Sequence, residues 1–254
     1  MPTPAYSICI TNYNTVHTIR KSLDSLLNQL DDSFEVIVCD NLSTDGSNAI
    51  LKEYALHEKV KLIEEKSNRG QGRQIAYEHS CAPLIISGLD LDDTFKPMLR
   101  EILRTYHAEH EGFMWSLSTF HIIPRAIIEE VHGWRNLPYY EDVDFSRRVE
   151  RIGKLHYCAD PTAIIWSKGT ATGLFRRTRE AWAKSQAAYQ ISSINQIISI
   201  NFKYQFDFTT NAVDQCWYKR LVLRAVEFCA ILTCKLRGIR KLNYLKKDSA
   251  LESV

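Results

Sequence analysis

The sequence lacks the cysteine pairs that mark disulfide frameworks and zinc sites. Its seven cysteines are scattered over 254 residues, their number is odd, and no Cys-x-x-Cys pair occurs. A disulfide-stapled secreted domain and a zinc-ribbon domain are therefore both poor interpretations. Several of the cysteines lie inside apolar runs, so we expect reduced thiols packed in a core, in a protein from a reducing compartment.

Signals for export and for membrane spanning are also missing. Residues 1–6 contain neither the basic segment nor the apolar segment of a secretory leader. In the basic C-terminal segment the longest uncharged run is the seven residues 228–234, far shorter than the roughly 20 residues that cross a bilayer. We therefore expect a cytoplasmic protein that does not span a membrane.

Composition and charge narrow the class further. The 45% hydrophobic and 24% charged content is that of a globular protein, which excludes disordered and collagen-like chains. The length allows one α/β domain, with or without an appendage. The net charge of +2 is unevenly spread, because residues 219–247 hold nine Lys or Arg against the single acid Glu227. The basic character belongs to the C-terminal segment.

The first ninety residues alternate between short apolar runs and helical periodicity. Apolar runs predict buried strands at 6–11, 34–39, 60–63 and 83–88. Between them, apolar residues at helical spacing predict helices around 19–30, 47–55 and 73–80, the last preceded by a glycine-rich loop at 68–72. This alternation predicts a mostly parallel sheet with right-handed crossovers.

The following sixty residues predict further mixed structure. A helix is expected after Pro97, and the alternating stretch 113–123 predicts one strand of a mixed sheet. Pro124 is expected to begin another helix. A loop from Gly133 then feeds a helix that ends at Gly153.

Two acidic clusters stand at predicted element ends. Asp90, Asp92 and Asp93 follow a predicted strand, where they fit either a divalent cation site or a solvated turn before a helix. Glu141 and Asp142 begin a predicted helix, where the helix dipole favours carboxylates without any catalytic role. Because ligands bind beyond the carboxyl ends of parallel strands, Asn12, Tyr13, Asp40 and the Asp90 cluster are expected to converge.

A dinucleotide-binding fold is the nearest competitor and fits poorly. Gly70-Gln71-Gly72 has no third glycine at the required spacing and does not follow the first strand.

Taken together, the motifs resemble those of the family 2 glycosyltransferases, from about Tyr6 to Trp166. The resemblance rests on five stretches in the family's order, namely Thr11-Asn12-Tyr13-Asn14, residues 38–46 around Asp40, Asn68-Arg69-Gly70, residues 89–93, and residues 141–145. It implies an α/β GT-A fold, Rossmann-like, with a mostly parallel mixed sheet flanked by helices. Residues 1–93 would form the nucleotide-sugar-binding half, 94–172 the acceptor half, and 173–254 a helical extension.

The resemblance implies a role for each motif residue in donor binding. Thr11 and Tyr13 would lie at the nucleotide, Tyr13 against the base and Asp40 accepting a hydrogen bond from it. A uracil suits this pair, so we expect a UDP-linked donor. Asp90 would bind near the ribose and, with Asp92, hold Mn²⁺ or Mg²⁺ on the diphosphate.

The remaining implied roles concern the phosphates and the acceptor. Arg69 or Arg73 would assist on the phosphates. Asp142 matches the family's catalytic base, which would remove a proton from the acceptor hydroxyl during one inverting displacement, and Glu141 would orient the site. Trp134 fits either stacking on a sugar or packing in the core.

Two departures from the family pattern affect the donor site. Asn41 and Leu42 replace an Asp-Gly that is common after the first nucleotide-binding Asp, which leaves the nucleotide specificity open. The strand near 164–168 lacks the histidine that many members carry, and Lys168 would replace it as a point charge on the phosphates.

The C-terminal segment predicts an amphipathic helix at 217–237. Its apolar side carries Tyr218, Val222, Ala225, Val226, Cys229, Leu232 and Leu236. Such a helix fits peripheral contact with an anionic membrane through residues 217–247, packing on its own domain, or a dimer contact. A nucleic-acid partner fits less well.

These features leave three functional hypotheses. The first is an inverting transferase acting on a hydroxyl acceptor, a glycan or a lipid-linked glycan. The second transfers sugar to polyprenyl phosphate, an acceptor that is already ionised. The third is a catalytically silent nucleotide-sugar-binding scaffold.

Overall fold

The structure is a computed structural model that describes residues 3–56, 60–117, 120–158, 165–167, 182, 186 and 217–236. The chain divides into two compact units. The first comprises residues 1–137 and 141–170, and the second comprises 138–140 and 171–254.

A seven-stranded mixed sheet forms the centre of the first unit. Its strands in spatial order are β3 (Val60–Glu64), β2 (Phe34–Asp40), β1 (Tyr6–Asn12), β4 (Leu84–Asp90), β7 (His121–Pro124), β6 (Met114–Ser116) and β8 (Leu155–Tyr157). The first four are parallel to one another, whereas β7 runs antiparallel to both of its neighbours. The predicted α/β architecture is confirmed. A separate antiparallel pair joins β5 (Thr94–Phe95) to β9 (Ile165–Ser167).

Helices cover both faces of this sheet. They are α1 (Ile19–Leu27), α2 (Ser47–Tyr54), α3 (Arg69–Glu78), α4 (Leu99–Thr105), α5 (Arg125–Glu130) and α6 (Glu141–Arg151). Residues Tyr106–His110 continue α4 as a single π-helical turn. Ile8, Ile10 and Val38 belong to the apolar core on one face, and Cys9, Ile37 and Ile85 to the core on the other. This alternation explains why the parallel strands read as continuous apolar runs.

Two predicted boundaries differ from the structure. The glycine-rich stretch at 68–72 is not a loop, because α3 begins at Arg69 and takes both glycines into its first turns. Asn68 caps this helix, accepting a hydrogen bond from the Gln71 amide while the Gln71 side chain accepts one from the Asn68 amide. This reciprocal pair supplies the helix start that the glycines obscured in the sequence.

The stretch 113–123 also differs, because it forms two strands instead of one. The Leu117 amide donates to the Phe120 carbonyl, and β6 pairs with β7 in antiparallel register. The chain therefore reverses within a stretch whose alternation continues across the turn, and the alternation pattern carried no signal for the reversal.

Within the second unit, α7 (Trp217–Leu236) confirms the predicted C-terminal helix. Ala230 and Cys234 are buried, whereas Phe228, Leu232 and Leu236 are exposed. Among the described helices, none is both long and apolar enough to cross a membrane. The rest of the helical extension expected at 173–254 lies, apart from residues 182 and 186, outside the described residues, as does Lys168.

The cysteine prediction holds for part of the chain. None of the six cysteines in the described part of the chain is in a disulfide bond. Cys9, Cys39 and Cys234 are buried as expected, whereas Cys81 and Cys229 are exposed. Burial raises the pKa of Cys9 to about 12, which makes that thiol unreactive.

Candidate functional site at the carboxyl ends of the strands

The sheet brings Asp40 and Asp90 to one edge. Strand β1 lies between β2 and β4, so the carboxyl ends of all three strands are adjacent. In this register Asn12 pairs with Asp40 and Thr11 pairs with Asp90. We call Thr11, Tyr13, Asp40, Asp90 and Asp92 the donor edge, since these are the residues for which the resemblance implies donor contacts.

Asp40 is fully buried and is held by neutral hydrogen-bond donors. Its Oδ1 accepts from Asn12 Nδ2 at 2.7 Å and from Ser43 Oγ at 2.6 Å. Its Oδ2 accepts from the Ser43 amide at 2.9 Å and from Asn48 Nδ2 at 3.2 Å. A carboxylate has about four acceptor positions, so protein groups fill all of them. Asn48 also donates to Glu64 at 2.9 Å, which makes it the donor most easily released.

The loops around this buried carboxylate present exposed apolar and aromatic groups. Tyr13 is 57% exposed, as a residue that receives a flat ring must be. Leu42 is half exposed and adopts a left-handed backbone with φ of +51°. That conformation explains why glycine is common at this position of the family pattern, and it is strained for leucine.

The Asp90 to Asp93 turn provides the second part of the edge. Asp90 ends β4 half-buried, Asp92 is exposed and Asp93 is buried, with the Asp93 amide donating to the Asp90 carbonyl. Within the described ranges, no three His, Cys, Asp or Glu side chains are placed so that they could hold a metal ion together. Asp90 and Asp92 still offer the hard oxygen ligands that Mn²⁺ and Mg²⁺ prefer, and a nucleotide diphosphate would supply others.

The two predicted phosphate arginines occupy different environments. Arg69 is exposed at the first position of α3. Arg73, one turn further along, is 5% exposed, and its Nε donates to Glu141 Oε1 at 2.9 Å. The structure therefore places Arg73 in a buried ion pair with the first residue of α6, a pairing that the sequence did not suggest.

Arg73 also connects the donor edge with the other acidic motif. Burial alone would lower the pKa of its guanidinium, but the carboxylates of Glu141, Asp90 and Asp142 raise that pKa above its ordinary value. The contacts of α3 agree with this, because Gly72 packs against Thr11, the strand partner of Asp90, and Asp142 follows Glu141, the partner of Arg73. The end of β4 and the start of α6 therefore border one site.

Helix α6 carries Asp142 and anchors it with further ion pairs. Asp142 is half-buried, and its Oδ1 accepts from the Val143 amide at 2.8 Å. One turn along, the fully buried Asp144 accepts from Arg148 Nε at 3.0 Å and lies 3.4 Å from Arg135 Nη1. The i, i+4 spacing of Asp144 and Arg148 is a signal that could have revealed this pair from the sequence.

A buried histidine in β7, His121, was also not predicted from the sequence. His121 stands directly opposite Ser87 in the pairing of β4 with β7, and it is 7% exposed. Burial, and next the charge of Arg73, lower the pKa of His121 to about 3, so the ring is neutral. No feature of the sequence around residue 121 indicated a buried histidine.

Trp134 resolves one of the two interpretations left open. The indole is 2% exposed and stacks on Phe145, with 4.4 Å between ring centroids. It is therefore a core residue, and stacking on a sugar is excluded for this side chain. His132, by contrast, is exposed.

The family model described as "Glycosyl transferase family 2" matches residues 7–168, which include the whole donor edge and α6. EpsE, named as a glycosyltransferase of Bacillus subtilis (strain 168), is 40% identical over 68 residues. That alignment covers 26% of this chain and 24% of EpsE. The chain thus spans about a quarter of this relative's length.

Two solved structures share the fold at low sequence identity. The mannosyltransferase PcManGT from Pyrobaculum calidifontis, in complex with GDP-Man and Mn²⁺, has a TM-score of 0.61 at 15% identity, covering 98% of this chain and 79% of its own. S. aureus TarS 1–349, in complex with UDP-GlcNAc, has a TM-score of 0.59 at 16% identity, with 92% of each chain covered. At these identities the similarity shows the fold alone.

Proposed function

The chain belongs to glycosyl transferase family 2, and from that premise we propose that it transfers a sugar from a nucleoside-diphosphate sugar to a hydroxyl acceptor with inversion. The observation that carries the proposal is the buried pair of Arg73 with Glu141, because it places Asp142 next to α3, and α3 packs through Gly72 against Thr11, the strand partner of Asp90. One carboxylate group then serves the leaving group and another serves the nucleophile, as a single in-line displacement requires.

On the acceptor side, we propose that Asp142 is the general base. It is half-buried in the first turn of α6, whereas Glu141 and Asp144 are both paired with arginines. Asp142 therefore accepts the proton of the acceptor hydroxyl as that oxygen attacks the anomeric carbon. General-base catalysis of this kind contributes about 10²- to 10⁴-fold to a rate.

For the donor, we propose that a UDP-linked sugar binds along the donor edge. The exposed Tyr13 ring offers a face to the base, and Thr11 lies beside Asp90 at the strand ends. Asp40 accepts a hydrogen bond from the uracil once Asn48 turns fully to Glu64, its second acceptor. The exposed Arg69 at the start of α3 is available to the phosphates.

Asp90 and Asp92 are the residues that would hold Mn²⁺ or Mg²⁺ in this proposal. The cation supplies positive charge against the diphosphate as the bond to the sugar breaks. A GDP-linked donor is the competing nucleotide, and both UDP- and GDP-sugars occur among the structural neighbours.

We further propose that α7 touches an anionic membrane, which would bring a lipid-linked glycan acceptor within reach. Phe228, Leu232 and Leu236 form an exposed apolar stripe at spacings of four residues. Residues 219–247 carry an excess of eight positive charges, which suits anionic headgroups and opposes close pairing of two copies. An exposed apolar stripe in a basic segment is typical of interfacial helices.

The membrane proposal is tested by sedimentation of the full chain with vesicles of phosphatidylserine and phosphatidylcholine. We expect Leu232→Glu with Leu236→Glu to reduce pelleting to the level seen with neutral vesicles. Leu56→Glu is the matched control, since Leu56 is an exposed leucine outside α7. Equal pelleting of the double variant and the control would remove α7 from the membrane contact.

The transferase proposal is tested by nucleotide release from a panel of UDP- and GDP-sugars with Mn²⁺ or Mg²⁺, with and without a membrane lipid extract. Turnover of one donor that Asp142→Asn abolishes supports a hydroxyl acceptor. Turnover that survives Asp142→Asn supports a polyprenyl-phosphate acceptor, which has no proton to lose. Donor binding without any turnover supports the silent scaffold.

A further inference from the structure

A buried ion pair joins α3 to the first residue of α6. Arg73 and Glu141 are separated by 68 positions in the chain, and their side chains are 6% and 3% exposed. Glu141 engages the Nε side of the guanidinium, and the Nη1 atom has no hydrogen-bond partner within the described part of the protein. Since Asp142 is the next residue, the position of Glu141 sets the position of the proposed base.

Helix α3 is itself fixed against its surroundings, so Arg73 stands on a rigid support. The Gly70 amide donates to the Leu137 carbonyl at 2.9 Å, and a Cβ on Gly70 would lie 2.0 Å from the Arg135 carbonyl oxygen. A Cβ on Gly72 would lie 2.8 Å from the Thr11 side chain. These close approaches hold the start of α3 against β1 and against the chain leading to α6.

Carboxylates of both acidic motifs act on the positive charge of Arg73. Three carboxylates act on its guanidinium, those of Glu141, Asp90 and Asp142. The nearby His121 is buried and neutral, so it adds no second charge there. The buried pair with Glu141 and the packing of Gly72 against Thr11 place this part of α3 next to the start of α6 and the end of β1.

We propose that Arg73 is a positioning residue for the transfer reaction, which holds Asp142 at a fixed place relative to the donor edge through its buried pair with Glu141. This inference rests on the proposed transferase activity. Arg73 touches neither donor nor acceptor in this role. The bond to Glu141 transmits the position of α3 to the first turn of α6.

A positioning role predicts that a substitution at Arg73 lowers kcat and leaves the affinity for UDP nearly unchanged. A displacement of about 1 Å at a reacting group costs about 100-fold in rate, so Arg73→Lys should lower kcat by about 100-fold. The compact ammonium keeps the charge but loses the planar fork that orients Glu141. Affinity for UDP with Mn²⁺, measured by calorimetry, should change less than about twofold, because the donor edge is unaltered.

A variant that removes the pair without leaving a buried charge separates positioning from folding. Replacement of a buried ion pair by apolar residues of similar size commonly preserves stability. We expect the double variant Arg73→Met with Glu141→Met to melt near the wild-type temperature and to bind UDP normally, yet to lose turnover as Arg73→Lys does. Should that variant fail to fold, the folded Arg73→Lys decides alone, with a loss of kcat at unchanged UDP affinity supporting the positioning role and wild-type kcat overturning it.

Arg20→Lys is the matched control, because Arg20 forms an exposed ion pair with Glu53 at 2.6 Å, away from the donor edge and α6. It should keep wild-type turnover. Wild-type kcat in a folded Arg73→Lys, or in a folded double variant, would overturn the positioning role. Failure of the proposed function looks different, since the wild type itself would then turn over none of the donors.

Discussion

The donor edge and the start of α6 both bury carboxylates, but they hold them in opposite ways. Asp40 is surrounded by neutral donors from Asn12, Ser43 and Asn48. Glu141 and Asp144, by contrast, are paired with Arg73 and Arg148. Neutral donors solvate a negative charge without cancelling it, whereas a guanidinium cancels it.

This difference matches the task that we propose for each region. A donor edge that keeps its negative charge attracts a divalent cation and accepts hydrogen bonds from a base. A helix whose flanking carboxylates are neutralised leaves Asp142 as the carboxylate available to the acceptor. The comparison therefore predicts that substitutions in the two regions differ in their effects on stability and on UDP affinity. The four predictions below are ordered by the size of the expected effect.

The largest effect on stability is expected at Arg148. Replacing it by Met leaves the fully buried Asp144 without its closest cation, and breaking a buried ion pair costs about 3–5 kcal/mol. Urea unfolding followed by circular dichroism measures the loss. Arg20→Met, in an exposed pair, should leave the urea midpoint nearly unchanged. Equal losses in the two variants would show that burial does not distinguish the α6 ion pairs.

A smaller loss is expected at Asp40, where the network is neutral. Asp40→Asn turns one acceptor oxygen into a donor that faces existing donors, which costs about 1–3 kcal/mol of unfolding free energy. Affinity for UDP should also fall, whereas Arg148→Met should spare it in the folded fraction. A calorimetric titration that shows full affinity in Asp40→Asn would break the assignment of Asp40 to the nucleotide.

The buried His121 makes the free energy of unfolding sensitive to acid. Its pKa is about 3 in the folded protein, below the ordinary value of about 6.5 that applies when the chain is unfolded. Unfolding therefore takes up a proton between these values, and this residue's contribution is complete above about pH 6.5. It falls by about 1.4 kcal/mol per pH unit as the pH drops toward 3.

The measurement for His121 is the pH dependence of the urea midpoint in the wild type and in His121→Gln. Between pH 6 and 4, a range that lies between the two pKa values above, the urea midpoint of the variant should fall less steeply with decreasing pH than that of the wild type. His79→Gln, at an exposed histidine, is the control and should follow the wild type. Parallel curves for His121→Gln and the wild type would contradict the buried neutral histidine.

The smallest effect is a gain, expected at Leu42 on the donor edge side. The left-handed backbone at residue 42 destabilises a leucine by about 1–2 kcal/mol, and glycine removes this strain. Part of the gain is lost again, because glycine has more conformational freedom in the unfolded chain. Leu42→Gly should therefore stabilise the protein by up to about 1 kcal/mol in urea unfolding. Leu56→Gly, at an exposed leucine without a positive φ, should show no gain.

Much of the fold followed from local patterns in the sequence. Strands β1 to β4 and helices α1 and α2 appeared as apolar runs and helical periodicity, because buried parallel strands and amphipathic helices impose those patterns. The start of α3 was predicted too late, since two glycines in a first turn look like a loop. There they serve close packing against Leu137 and Thr11.

The candidate site divided in the same way. The resemblance marked residues that lie at strand and helix ends, such as Asp40, Asp90 and Asp142, because short motifs carry them. The pairing of Arg73 with Glu141 was out of reach, because it joins positions 68 apart and depends on how α3 and α6 meet in space. His121 was missed for a similar reason, since a lone histidine in an alternating stretch says nothing about what faces it across the sheet.

The most direct test of the account is nucleotide release by the wild type and by Asp142→Asn, compared on the donor that the wild type turns over. The account predicts that the variant binds UDP with Mn²⁺ as tightly as the wild type and releases nucleotide about 10²- to 10⁴-fold more slowly. Release at the wild-type rate by a folded Asp142→Asn would contradict the assignment of Asp142, at the start of α6, to the activation of a hydroxyl nucleophile.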